Sequence, residues 1–297
     1  MRTKDESRKT NRPLQTTAAS VLRPSSFVFR LRRKVRAGPP MATVTVRVLR
    51  SPAEPGQQAQ YRAYEVETFP RMSVLDALFA IQRNHDRTLS FRYSCRLGMC
   101  GTCAVIVNNR EALACQTLVE RCGGKDISVR PLNYLPVVKD LAVDMAPFFD
   151  RYRAVKPFFV PKPSVEAAQV PQVIEQSEGE RKWVDPALGC ISCGICFSAC
   201  SVVGLNERFP GPAALNRAYT LTGDVRDAAR AERLALAGGA DGVWRCHQTF
   251  SCASACPRHL VPTQAIRQLR LDAAAATDSP LVAPLRWLRQ GRKTKDE

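Results

Sequence analysis

The spacing of its cysteines constrains the fold and function of this chain more than any other feature of the sequence. Eleven of the twelve cysteines fall into three short, regular groups, and no apolar segment typical of a secretion signal is visible. Many cysteines in a secreted chain would indicate disulfides, whereas short regular groups favour binding of metal ions or iron–sulfur clusters. We therefore expect a chain that folds around such centres.

The first group has the spacing C-x4-C-x2-C, and a fourth cysteine follows after eleven further residues: Cys95, Cys100, Cys103 and Cys115. This is the plant-type arrangement for a 2Fe–2S cluster, in which four thiolates hold two irons. Gly98 and Gly101 allow the loop to curl and to direct N–H groups at the sulfurs. A structural zinc ion on the same cysteines is the alternative, although zinc sites prefer paired C-x2-C units. Cys122 has no partner at a matching spacing and is interpreted as a plain thiol.

The second and third groups resemble the bacterial run C-x2-C-x2-C-x3-C-P, which occurs in two-cluster ferredoxins. One run has all of its cysteines: Cys190, Cys193, Cys196 and Cys200. The other run consists of Cys246, Cys252 and Cys256, followed by Pro257. Thr249 stands in this second run where a cysteine ligand is expected.

The missing cysteine predicts a cluster with one iron fewer. In two-cluster ferredoxins the fourth cysteine of each run binds the other cluster. This crossing assigns a 4Fe–4S cluster to Cys190, Cys193, Cys196 and Cys256. It leaves three thiolates for three irons, so a 3Fe–4S cluster is predicted on Cys200, Cys246 and Cys252. A labile 4Fe–4S cluster with water or a hydroxyl on its fourth iron is the alternative.

Residue patterns around the first group predict strands, one helix and further strands. "TVTVRVL" and "YRAYEVETF" alternate like strands, and "SVLDALFAIQRNH" predicts a helix capped by Ser73 and Asp76. "AVIV-NN-REALAC" predicts a hairpin, and "DISVRP" predicts a final strand. Beyond them, helices are predicted for "VVKDLAVDMAPFFDRYRAV", "GPAALNRAYTLTG", "VRDAARAERLALAGG" and "PTQAIRQLRLDAAAA".

The predicted fold class is α+β. A β-grasp domain of the plant-type 2Fe–2S ferredoxin kind is expected over residues 41–146, and an all-α, bacterial-type two-cluster ferredoxin domain over residues 147–297. Residues 1–40 are basic and are interpreted as a disordered extension, or as the result of a start assigned too early, with Met41 as the true start. An organelle transit peptide is the alternative, which Asp5 and Glu6 disfavour.

Charge and the absence of other motifs narrow the function classes. Residues 1–40 hold eleven Lys and Arg against two acids, and so carry more than half of the net charge of +17. The remaining chain shows scattered arginines rather than the basic and aromatic face of a nucleic-acid-binding protein. No run of 18 apolar residues predicts a membrane span, and no glycine motif predicts a site for NAD, FAD or ATP. A chain with three clusters and none of these sites is therefore predicted to carry single electrons, while a partner protein carries out the substrate chemistry.

The ordered combination of motifs resembles the iron–sulfur subunit of succinate dehydrogenase and fumarate reductase. The resemblance runs from about residue 43 to residue 275 and includes "SCRLGMCGTC", "LAVDM", "CISCGICFSAC", "GPAALNRAY", "GVWRCH" and "CASACPRHLVPTQAI". It implies electron transfer between FAD on a partner flavoprotein subunit and quinone at membrane anchor subunits, which sometimes carry haem. It also implies the order 2Fe–2S, 4Fe–4S and 3Fe–4S. The expected location is the cytoplasmic face of a bacterial inner membrane, ahead of the matrix side of the mitochondrial inner membrane.

Several residues of this chain fall at positions that lie near the quinone site in the family it resembles. His247 and Arg270 fall where the family has a quinone-proximal histidine and a lysine, so the resemblance places both near quinone. Ser201 stands where proline is usual, and Gly204 and Leu205 stand where ubiquinone-linked members have two tryptophans. The residues at the two tryptophan positions resemble the fumarate reductase branch and favour menaquinone over ubiquinone. Two other interpretations stay open: an iron–sulfur subunit of a glycolate oxidase-like or heterodisulfide reductase-like complex, and a zinc-binding structural or nucleic-acid-binding module.

Overall fold

The structure, a computed structural model, describes residues 42–52, 58–123, 126–162 and 175–276. The predicted extension over residues 1–40 lies outside these ranges. The described residues belong to one compact unit. The division of the chain between residues 146 and 147 therefore stays a prediction.

The amino-terminal half is a five-stranded mixed sheet with one helix, α1, over Val74–Asn84. Its strands are β1 (Thr43–Arg50), β2 (Gln60–Glu67), β3 (Ala104–Val107), β4 (Arg110–Leu113) and β5 (Asp126–Arg130). They lie in the order β2–β1–β5–β3–β4, with β1 and β5 parallel and the other neighbours antiparallel. Val44, Val46 and Val48 are buried, which is the two-residue period of a strand with one covered face. Sheet and helix confirm the predicted α+β fold.

Two local sequence signals produce the conformations that were expected of them. The Ser73 hydroxyl accepts from the Asp76 N–H at 3.1 Å, and the Asp76 carboxylate accepts from the Ser73 N–H at 3.0 Å, which closes the predicted capping box of α1. Asn108 and Asn109 join β3 to β4 with φ of 47° and 62°. These are the left-handed values that a two-residue hairpin turn requires. A short 3₁₀ turn follows at Val119–Arg121.

The helix predicted over residues 137–155 is wrong in its first half. Strands β6 (Val137–Lys139) and β7 (Ala142–Val143) form a hairpin, and helix α2 spans Ala146–Arg153. Asp140 turns the hairpin with φ of 52°. Its buried carboxylate accepts from Arg50 Nε at 3.0 Å and from the Ser90 N–H at 2.9 Å. These contacts from distant parts of the chain override the helical spacing of the apolar residues.

The carboxy-terminal half is helical, as predicted. Its helices are α3 (Glu178–Arg181), α4 (Asp185–Leu188), α5 (Ile195–Ser198), α6 (Ser201–Leu205), α7 (Pro212–Thr222), α8 (Arg230–Ala237), α9 (Ser251–Ser254) and α10 (Pro262–Ala276), with a 3₁₀ turn at Val243–Arg245. The helix predicted from residue 225 begins later because Asp227 is held in place. Asp227 pairs with Arg233 at 2.6 Å with both side chains fully buried, and it accepts from the Val160 N–H at 3.0 Å.

The two halves pack against each other over a continuous hydrophobic core. Phe148 of α2 meets Phe197 of α5 with ring centroids 5.6 Å apart. The Asn133 N–H donates to the Ser198 hydroxyl at 2.9 Å. This packing decides how closely the cysteine groups of the two halves approach. Within the part of the chain that the structure describes, no helix has the length and apolar composition needed to cross a membrane.

Candidate iron–sulfur cluster sites

The loop that carries the first cysteine group surrounds one sulfur with backbone donors. Cys95 Sγ accepts from three N–H groups at 3.3–3.4 Å, those of Leu97, Met99 and Cys100. The loop can turn tightly because Gly98 and Gly101 both have φ of 73°, a value that other residues rarely adopt. Backbone N–H groups directed at a sulfur stabilise its thiolate form, which is the form that binds iron.

The pKa values of two thiols in this group, Cys100 and Cys103, are shifted in opposite directions. Hydrogen bonds, first from the Thr102 side chain and then involving Cys95, lower the pKa of Cys100 to about 6. Burial, together with the neighbouring thiols of Cys115 and Cys100, raises the pKa of Cys103 to about 12. Cys103 therefore needs a nearby cation to become a thiolate. The iron of a cluster supplies that charge, so the four residues fit a 2Fe–2S cluster.

A second set of cysteines lines one cavity in the helical half: Cys190, Cys193, Cys196 and Cys256. Three come from the first run and one from the second, which α9 brings back to the cavity. Burial raises the pKa of Cys193 to about 11 and that of Cys196 well above its ordinary value, and neighbouring thiols add to both shifts. Buried thiolates are stable only with compensating positive charge, so these residues fit a cluster of iron ions.

The third set contains one cysteine of the first run and two of the second. Burial is the main cause that raises the pKa of Cys200 and of Cys252, and Cys246 adds to both shifts, so the three thiols are neighbours. Thr249 is exposed, and its hydroxyl lies 3.2 Å from that of Ser251. The structure thus brings together the members of each set expected from crossed ligation. Which cluster each set holds stays a prediction.

Known families match both halves of the chain. Residues 45–150 match the 2Fe-2S iron-sulfur cluster binding domain, and residues 186–260 match the 4Fe-4S dicluster domain. The chain is 35% identical over 243 residues to the fumarate reductase iron–sulfur subunit of Haemophilus influenzae, covering 78% of this chain and 93% of that protein. The chain belongs to the iron–sulfur subunits of fumarate reductase and succinate dehydrogenase.

Two further likenesses agree with this family. The mitochondrial iron–sulfur subunit 2 of succinate dehydrogenase (ubiquinone) from Oryza sativa is 38% identical over 240 residues, covering 79% of this chain and 76% of the rice protein. A chain of the Mycobacterium smegmatis Sdh1 complex in the apo form has the same fold, with a TM-score of 0.73 and 26% identity. That likeness covers 82% of this chain and the whole of the other.

In this iron–sulfur subunit the three cysteine sets are neighbours in a row. A Cβ atom at Gly101 would lie 2.5 Å from Cys193 Cβ and 2.9 Å from Cys193 Cα, so the loop of the first set rests directly on a cysteine of the second. Cys252 of the third set is near enough to Cys196 of the second to contribute to its raised pKa. The spacing of the cysteines alone gives no sign of either contact.

The two residues that the resemblance places near quinone occupy different surroundings. His247 is exposed and lies on an open cavity of about 590 Å³, which is also lined by Val202, Leu205, Asn206, Glu207, Arg208, Asp241 and Arg245. Arg270 does not line this cavity. Its guanidinium donates to the carbonyls of Val243 and Cys246 at 2.7 and 2.8 Å. Arg270 thus holds the segment that enters the third set, and the structure does not bring its guanidinium to the surface beside His247.

Cys122, which belongs to none of the three sets, makes contacts consistent with a plain thiol. Its Sγ lies 3.3 Å from the carbonyl of Leu118, and burial raises its pKa. Sequence reasoning missed a different residue, Thr263, whose hydroxyl lies beside Cys252. A threonine inside a helical segment carries no signal that could have identified it.

Proposed function

We propose that the iron–sulfur subunit carries single electrons between the FAD of a partner flavoprotein subunit and a membrane quinone. The observation that carries this proposal is the row of three cysteine sets: Gly101, in the loop of the first set, packs on Cys193 of the second, and Cys252 of the third is near enough to Cys196 of the second to raise its pKa. The row supports the order 2Fe–2S, 4Fe–4S and 3Fe–4S. Bound clusters of these kinds accept and release one electron at a time.

The chain itself supplies the ligands and their surroundings. Cys95, Cys100, Cys103 and Cys115 would hold the 2Fe–2S cluster; Cys190, Cys193, Cys196 and Cys256 the 4Fe–4S cluster; and Cys200, Cys246 and Cys252 the 3Fe–4S cluster. Backbone N–H groups at Cys95 stabilise negative charge on that sulfur. Cys252 of the third set is buried and burial raises the pKa of Cys196 in the second, so electrostatic interactions at these two sulfurs are stronger than in water.

The quinone end is proposed at the cavity beside His247. Its imidazole follows Cys246 directly in the chain and is exposed, so it can donate to a quinone oxygen as negative charge develops there. We place membrane anchor subunits, which carry haem in some members of the family, over this surface. The corresponding location is the cytoplasmic face of a bacterial inner membrane.

Menaquinone is proposed ahead of ubiquinone. A Cβ atom at Gly204 would lie 2.2 Å from Tyr134 Cε1, so a tryptophan at this position would require the Tyr134 ring to move. Leu205, at the second tryptophan position, is 84% exposed. Two tryptophans are thus replaced by a glycine that accommodates Tyr134 and by an exposed aliphatic side chain.

The proposal is tested on the complex purified with its flavoprotein and anchor subunits. His247→Ala is expected to lower the rate of quinone-linked turnover by a factor of about 10²–10³, which is the usual loss when one hydrogen-bond donor to a developing oxyanion is removed. Reduction of an artificial acceptor at the flavin should stay near normal in the same preparation. Arg270→Met should instead weaken the 3Fe–4S EPR signal, because the carbonyls of Val243 and Cys246 lose their donor. Normal quinone turnover in His247→Ala would remove His247 from the site.

A further inference from the structure

One hydroxyl lies directly against a cysteine of the third set. Thr263 Oγ1 is 3.2 Å from Cys252 Sγ. Thr263 is 1% exposed and Cys252 is 7% exposed, so water has almost no access to either atom. Thr263 is the second residue of α10, a helix of fifteen residues. Its position is therefore fixed by a long element rather than by a loop.

The direction of this hydrogen bond follows from the chemistry of the two groups. A cysteine that binds iron does so as a thiolate, which has no proton to donate. A threonine hydroxyl has one proton and can rotate to direct it at an acceptor. Cys252 Sγ is the partner of the Thr263 hydroxyl within the described residues. The hydroxyl therefore donates to the sulfur when the cysteine holds iron.

Helix α10 supports the third set at a second point. Arg270, seven residues after Thr263 and thus on nearly the same helix face, donates to the Cys246 carbonyl at 2.8 Å. Thr263 contacts the sulfur of one ligand, whereas Arg270 holds the backbone of another. Of these two contacts, only the one at Thr263 reaches an atom that would share the cluster's electrons.

We propose that Thr263 raises the reduction potential of the 3Fe–4S cluster by donating its hydroxyl proton to the Cys252 sulfur. Thr263 is a positioning residue, because it acts through a ligand and does not bind iron. The inference rests on the proposed function, which assigns this cluster to Cys200, Cys246 and Cys252. It adds the reason why the last cluster of the row can draw electrons towards the quinone end.

The sign follows from where the added charge resides. In the step concerned, the neighbouring cluster loses one electron, the cluster on Cys252 gains it, and no bond to iron forms or breaks. Part of the added charge resides on the ligand sulfurs, and a hydrogen bond to a more negative acceptor is stronger. Without the hydroxyl, the reduced form should lose about tenfold in relative stability, which corresponds to about 59 mV for one electron.

The experiment is an EPR-monitored redox titration of the complete complex with two variants at this position. Thr263→Val keeps the shape of the side chain and removes the hydroxyl, whereas Thr263→Ser keeps the hydroxyl and removes a methyl group. We expect a lower 3Fe–4S potential in Thr263→Val and a near-normal potential in Thr263→Ser. The 2Fe–2S potential serves as an internal reference, because its ligands lie in the other half of the molecule.

The outcomes separate this inference from the function on which it rests. Absence of a 3Fe–4S signal in the unmodified complex would contradict the proposed function itself. A normal signal with the same potential in Thr263→Val would overturn the role of the hydroxyl alone. Equal shifts, or equal loss of the cluster, in both variants would assign the position to packing and also overturn it. Loss of the signal in Thr263→Val with retention in Thr263→Ser would support a hydroxyl that holds the ligand sulfur.

Discussion

Replacing Gly101 with alanine should disturb two cluster sites at once. A Cβ atom at this position would lie 2.5 Å from Cys193 Cβ, and the neighbouring Cys193 Cα, 2.9 Å away, belongs to the backbone and cannot swing aside. Gly101 also has φ of 73°, which alanine rarely adopts. The substitution therefore strains the loop of the first cysteine set and pushes it against the second.

The loss of folding free energy in Gly101→Ala can be compared with that of a matched substitution, Gly98→Ala, in the same loop. Gly98 has the same φ of 73°, but its Cβ atom would meet the flexible side chain of Gln116 at 2.9 Å. Each alanine should lower the free energy of unfolding by about 1–2 kcal/mol, because it must adopt the left-handed backbone conformation. Gly101→Ala should cost about 1–3 kcal/mol more, because it overpacks a contact between two backbone segments.

The assay follows cluster retention and EPR spectra in the purified complex on gradual heating. Gly98→Ala should lower the temperature at which the 2Fe–2S signal is lost and leave the 4Fe–4S signal unchanged. Gly101→Ala should lower that temperature further and should alter the 4Fe–4S signal as well. Equal behaviour of the two variants, or an unaltered 4Fe–4S signal in Gly101→Ala, would refute the contact with Cys193.

Three further substitutions test separate parts of the account. Cys103→Ser should disturb the 2Fe–2S EPR signal and leave the other two; loss of all three in a folded variant would contradict the separate ligand sets. Thr249→Cys completes the second run, so the 3Fe–4S signal should be replaced by that of a 4Fe–4S cluster at lower potential; an unchanged spectrum would argue against crossed ligation. Arg233→Met leaves the fully buried Asp227 carboxylate unpaired and should destabilise the protein by about 3–5 kcal/mol; Arg153→Met, at an exposed pair, is the control, and similar melting temperatures would contradict this reasoning.

Sequence reasoning succeeded where short-range chemistry decides the structure. The Ser73 and Asp76 capping box and the Asn108–Asn109 turn depend on residues at most three apart, so the printed order of residues carries the information. Cysteine spacing likewise predicts the ligand sets from the rules of two-cluster ferredoxins, and the structure places the thiols of the second and third sets near one another. Their binding of the clusters stays a prediction.

It failed where distant contacts decide. The apolar residues of segment 137–145 have helical spacing, but Asp140 is bound by Arg50 from β1, ninety positions earlier in the chain. The local sequence of the hairpin gives no indication that Arg50 is the partner of Asp140. The contact of Gly101 with Cys193 and the position of Thr263 against Cys252 also arise from tertiary packing. Arg270 falls at a family position near quinone. Its guanidinium, however, donates to the backbone carbonyls of Val243 and Cys246 and does not line the cavity beside His247.

An EPR-monitored redox titration of the complete complex, from the oxidised to the fully reduced state, shows whether the chain holds three iron–sulfur clusters of the expected kinds. We expect a 3Fe–4S signal in the oxidised protein, followed on reduction by 2Fe–2S and 4Fe–4S signals that broaden each other, because Gly101 in the loop of the first ligand set packs on Cys193 of the second. A protein that contains zinc and shows no 3Fe–4S signal when oxidised would contradict this expectation.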